Sequence, residues 1–83
     1  MSESAIHPGR YILQELKSKG RTQKEFSQLI GKKISELNEL INGKRNVTIL
    51  RDMLLSAAFD NEEGKRVNMQ NKYDFSVAKR QID

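Results

Sequence analysis

Two clusters of polar side chains in this chain are of the types that can bond to a nucleic acid. Gln23 falls in "TQKE", and Lys44 and Arg45 fall in "NGKRN". A glutamine in the first turn of a helix lies where free amides and the helix dipole already attract an anion. Lysine and arginine in an exposed loop are suitable partners for phosphate oxygens. Between the clusters, Ser35, Glu36, Asn38 and Glu39 occur in "KISELNELI" at spacings that leave them on the outer face of a helix. Hydroxyl and amide groups there can bond base edges or phosphates. The two carboxylates can accept from cytosine N4, but they repel phosphates.

These groups need elements to position them. Thr22 followed by Glu25 is a capping box, so a helix starts there. Phe26, Leu29 and Ile30 give it a buried stripe, and Gly31 stops it after about nine residues. The next helix begins at Lys33 or Ile34, with Leu37, Leu40 and Ile41 as its core face, and ends at Asn42-Gly43. Two short helices joined by Gly31-Lys32-Lys33 match a helix-turn-helix, whose second helix enters the major groove with its N-terminal residues toward the bases. On length and stripe alone, an ordinary helical hairpin fits as well.

Around this pair, a first helix is expected over 8–19, with Pro8 in its first turn, Tyr11, Ile12, Leu13 and Leu16 as its apolar stripe, and Gly20 as its stop. Thr48 caps a fourth helix ending near Phe59, with Ile49, Leu50, Met53, Leu54 and Ala57 as expected core positions. "DNEEG" precedes a last helix over about 62–81, where Glu62 and Glu63 suit the start and the apolar stripe is diffuse. Tyr73 and Phe75 are expected in the core or a dimer interface. No segment alternates with a period of two. The fold class is therefore all-α, about five helices in one domain over 1–83, with 1–6 frayed and 60–83 a C-terminal helical extension.

Composition narrows the function. The 83 residues carry a formal net charge of +4. The excess is uneven: residues 21–46 hold six Lys/Arg against three acids, while 47–83 hold six of each. A cationic face binds a polyanion by releasing its counterions, although a solvated basic surface has the same composition. The chain has no cysteine, so no disulfide framework or thiolate metal site is expected. It has no apolar run that could span a membrane and no signal-peptide core, which fits a cytoplasmic protein. His7 has no companion ligand, Asp60, Glu62 and Glu63 lack calcium-loop spacing, and Ser27 and Ser56 lack a His/Asp partner. Hence no metal, cofactor or catalytic set is expected.

"HPGRYILQEL", "TQKEFSQLIGKK", "LNELINGKRNVT" and "NMQNKYDFSVAKR" resemble the HigA-type antitoxins, within the phage-repressor (Xre), lambda-repressor-like class of helix-turn-helix proteins. The resemblance runs from about Ile6 to Arg80. It implies a homodimer on an inverted-repeat operator of double-stranded DNA in the protein's own promoter, and a partner toxin, a small RelE-like ribonuclease. It implies that Gln23 contacts a phosphate, that Lys33, Ile34, Ser35, Glu36 and Glu39 face bases, and that Asn42, Lys44, Arg45 and Asn46 touch the backbone. The chain departs from the family at Arg66, where an aromatic, commonly tryptophan, usually packs the last helix on the body. An arginine is not expected to repeat that burial without exposing its head, which predicts a looser last helix or a different arrangement in the dimer. A rival expectation is a protein-interaction module that keeps the helix-turn-helix as scaffold, with Glu36 and Glu39 facing a basic partner.

Overall fold

The computed structural model describes residues 6–82. The expectation of a frayed start falls outside these residues for 1–5. Five helices follow in order: α1 (Pro8–Ser18), α2 (Gln23–Leu29), α3 (Ile34–Ile41), α4 (Ile49–Phe59) and α5 (Lys65–Ile82). No strand occurs among the described residues.

The short helices have local causes. Thr22 Oγ1 accepts from the Glu25 N–H, and Glu25 returns the bond to the Thr22 N–H at 2.9 Å. This reciprocal cap starts α2. The helix ends in a Schellman pattern, with Gly31 N–H bonded to Gln28 O and Lys32 N–H to Ser27 O. α3 ends in the same way, with Gly43 N–H on Leu40 O and Lys44 N–H on Glu39 O. Both glycines have φ near +70°, at 68° and 77°, a conformation that costs a residue with a Cβ.

The core is built from Ile12, Leu16, Phe26, Leu37, Leu40, Val47, Leu55 and Phe59. Phe26 and Phe59 stack with centroids 4.4 Å apart, so α2 and α4 meet through aromatic faces.

Expectations for three of the helices are corrected. In α2, Leu29 is 53 % exposed, because the seven-residue helix turns Phe26 and Ser27 inward and leaves Leu29 on the open side. In α4, Ile49, Leu50, Met53 and Ala57 are exposed and Leu54 is half-buried, while Asp52, Leu55, Ser56 and Phe59 face inward. α4 is apolar on both sides, and the inward face passes through two polar residues. In α5, the helix starts at Lys65 rather than at Glu62, since Gly64 has φ 103° and lies before it. Phe75, 69 % exposed, is not a core residue.

The largest correction is Arg66. It is 1 % exposed, and its head is buried with it. The guanidinium forms a fork with Glu15 of α1, with Nε at 2.8 Å and Nη2 at 2.6 Å from the two carboxylate oxygens. Nη1 donates to Asp52 of α4 at 2.9 Å, and Nη2 also donates to Asn61 at 2.7 Å. Asn61 in turn donates to Glu15, and the Gly64 N–H donates to Asp52. Burial works against the arginine's charge, but bonds to Glu15 and Asp52 more than offset it and hold its pKa above the usual value. The last helix is therefore docked by a buried ion cluster in place of an aromatic plug.

Candidate nucleic-acid interface

The α2–α3 pair presents one outer face. Ser35, Asn38 and Asn42 fall at i, i+3 and i+7 of α3 and are all exposed. The Asn38 amide donates to Gln23 Oε1 at 3.3 Å, and the Asn42 amide donates to Asn38 Oδ1 at 3.0 Å. A row of amides thus runs from the first turn of α2, across the middle of α3, to its C-terminal cap. Each amide retains donor or acceptor capacity toward solvent, which is the chemistry that base edges and phosphates require. Lys33 is the N-cap of α3 without a side-chain bond of its own, and Ile34 beside it is 50 % exposed.

Glu36 and Glu39 are held away from that row. Glu39, on the flank, accepts from Arg45 Nε at 2.9 Å and pairs with its Nη2. This bond raises the Arg45 pKa. Glu36 is half-buried on the side of α3 turned to α4 and lies 3.5 Å from Arg51 Nε. Both carboxylates are thereby offset by the chain's own arginines. Among the described residues, Lys24, Lys32, Lys33 and Lys44 are exposed with no carboxylate in ion-pairing range. The face is polar and cationic.

The exit loop splits in two. Lys44 points outward, whereas the Asn46 carbonyl accepts from Arg51 and its side chain meets Gln70 of α5. Of the residues expected at the interface, Gln23, Asn38 and Asn42 are bonded in one row, Ser35 is exposed on the same side of α3, and Lys44 is exposed in the exit loop. Sequence reasoning did not foresee that Arg45 is tied to Glu39, or that Asn46, though exposed, is bonded to Arg51 and Gln70.

It also missed the residues that set the face from behind. His7 caps α1, its Nδ1 accepting from the Gly9 N–H at 3.0 Å. A Cβ on Gly9 would stand 2.3 Å from Leu40 O and 2.4 Å from Ile41 O, so α1 meets the C-terminal carbonyls of α3 in a contact that only glycine permits. Gln70 Oε1 accepts from the Val47 N–H at 2.8 Å. The signal was in the text: "HPG" and "MQNKYD" are the two motifs that meet here.

Among the described residues no group of three potential metal ligands comes together, and no helix is long and apolar enough to cross a membrane. A groove of about 640 Å³ runs over Tyr11, Glu62, Glu63 and Lys65. It is open and lies away from α3.

A family model described as helix-turn-helix matches residues 12–63. Two solved structures superpose over nearly the whole chain. One is a protein of Nostoc punctiforme PCC 73102 assigned as an antidote protein of a plasmid maintenance system: 28 % identity, TM-score 0.89, covering 96 % of this chain and 88 % of that one. The other is an addiction module antidote protein of the HigA family from Coxiella burnetii, with 21 % identity, TM-score 0.87, and coverage of 95 % and 87 %. At the latter identity the likeness is one of fold. No curated protein matches by sequence.

Proposed function

The chain belongs to the Xre-type helix-turn-helix family, a family of DNA-binding proteins and not of enzymes, and from this we propose that it is the antitoxin of a toxin–antitoxin module, a homodimer that represses its own promoter. The observation that carries the DNA reading is the amide row Gln23–Asn38–Asn42 on a face whose lysines are unpaired. Gln23 and Lys44 dock on phosphates, and Ser35, Asn38 and the start of α3 at Lys33 and Ile34 read base edges in the major groove. Asn42 and Arg45 border the phosphate backbone, and Asn46 holds the loop. Glu36 and Glu39 act by fixing Arg51 and Arg45.

The antitoxin part is supported by the description of the Nostoc structure as an antidote protein. Its partner would be a small basic ribonuclease of the RelE type. The rival reading, a partner-binding scaffold with little DNA affinity, drew on Glu36 and Glu39 as free acids. Both carboxylates are engaged within the chain, which favours DNA.

The test compares two substitutions on a duplex from upstream of the protein's own gene. Lys44→Ala is expected to weaken binding to every duplex alike and to reduce the salt slope by about one. Ser35→Ala is expected to change which base pair is preferred, by about 1–3 kcal/mol at one position. Equal, sequence-blind effects from both would remove α3 as the reading helix.

A further inference from the structure

Behind the exit loop of α3 lies a bracket with no part in the reading above. Gln70 of α5 is 3 % exposed, and its amide is fully engaged. Its Oε1 accepts from the Val47 N–H at 2.8 Å, while Nε2 donates to Asp74 at 2.9 Å and reaches Asn46 Oδ1 at 3.4 Å. One turn further along α5, the Tyr73 ring meets His7 edge-on, with centroids 5.0 Å apart at 81°. His7 in turn underlies Gly43, where an added Cβ would stand 3.6 Å from its ring. The loop is therefore fixed at both ends: Gly43 rests on His7, and Asn46–Val47 hang from Gln70. Between them Lys44 is carried outward and Arg45 is tied to Glu39, on a backbone that is set before any ligand arrives.

We infer that Gln70, with Asp74 orienting its amide, is a positioning residue for DNA binding: α5 presets the loop that carries Lys44, and so sets affinity without touching DNA. The inference rests on the DNA reading proposed above. A preset loop avoids an ordering cost at the moment of binding. A side chain that acts through Lys44 must also lose its effect once Lys44 is gone.

The test uses the full chain. Gln70→Met keeps the volume and removes the amide. Gln70→Glu keeps the acceptor for Val47 but opposes Asp74, and adding Asp74→Asn to it restores the bond with donor and acceptor exchanged. Two readouts are taken: hydrogen exchange of the Val47 amide in the free protein, and anisotropy on the upstream duplex at two salt concentrations. Q70M is expected to speed Val47 exchange at least about tenfold while the Ile12 and Leu37 amides stay protected. It is expected to weaken duplex binding about tenfold, and by less than about twofold in a Lys44→Ala background. Q70E should fall between wild type and Q70M in both readouts, because the acceptor for Val47 stays while Asp74 repels it, and Q70E with D74N should recover both readouts. If Q70M unfolds the protein, recovery by the pair over Q70E alone decides the matter. Unchanged Val47 exchange, or a loosened loop with unchanged affinity, or an undiminished effect without Lys44, would overturn the inference and leave the DNA reading standing. Wild-type protein that binds no duplex would overturn both.

Discussion

Replacing Arg66 with methionine should cost about 3–5 kcal/mol in a urea titration, because Glu15 and Asp52 would remain buried without their counter-ion. Leu29→Ser, at an exposed position, should stay within about 0.5 kcal/mol. A cost for R66M no larger than that of L29S would mean the cluster is not the dock of α5. A second residue effect depends on pH. His7 Nδ1 accepts the Gly9 N–H, which requires the neutral ring, and burial lowers its pKa from 6.5 although Asp74 pulls the other way. The unfolded chain therefore takes up this proton first as pH falls. The stability that neutral His7 contributes is present above about 6.5, is lost as pH falls through 6.5, and levels off once the folded ring is also protonated. Compared with His7→Asn, which keeps the cap, the wild type should lose stability between about pH 7.5 and about pH 5.5 in urea titrations. Parallel curves for the two proteins would contradict this. Neither arrangement could be read from residue types. An arginine in a sequence shows its charge but not that two distant acids on α1 and α4 converge on it.

At the scale of elements, what was legible depended on local signals. The capping box of α2, Pro8 in the first turn of α1 and the glycine stops are formed by neighbours in sequence, and they lie where the residue pattern puts them. α3 was equally plain, since Leu37 and Leu40 leave only one face to bury. α4 was not, because apolar residues on both sides make its inward face a choice made by the rest of the fold. That face contains Asp52, which Arg66 requires. α5 was diffuse for the same reason: its inward positions include Arg66 and Gln70. In the site, the Asn38–Asn42 bond follows from helix spacing, whereas the Gln23–Asn38 bond and the Glu36–Arg51 and Glu39–Arg45 pairs depend on how α2, α4 and the loop pack on α3. Two substitutions probe these contacts. Thr22→Ala should lower stability by about 1 kcal/mol through loss of the cap. Gly9→Ala should cost about 1–3 kcal/mol or more, since its methyl would meet backbone carbonyls that cannot swing aside. Thermal melts of the two variants check both, and a Gly9→Ala protein as stable as wild type would mean that α1 and α3 are free to separate.

At the scale of the molecule, the proposed reading of an inverted repeat would take two copies of α3, one for each half-site. A two-fold dimer would set its α3 helices about 34 Å apart, one turn of DNA, on an inverted repeat. Five extra base pairs between half-sites, about half a turn, should abolish tight binding, and ten should partly restore it. The basic excess over residues 21–46 was visible in the sequence. The carboxylates being offset by Arg45 and Arg51, so that the face is polar and cationic, was not. The measurement that bears most directly on the whole account is fluorescence anisotropy of the purified protein on a duplex from upstream of its own gene, with a scrambled duplex as competitor, at two salt concentrations. Tight binding that the scramble does not displace, weakening with salt according to the phosphates contacted, is the predicted result. Weak binding that any duplex displaces and salt erases would contradict it, and would leave the helix-turn-helix as a scaffold for a protein partner.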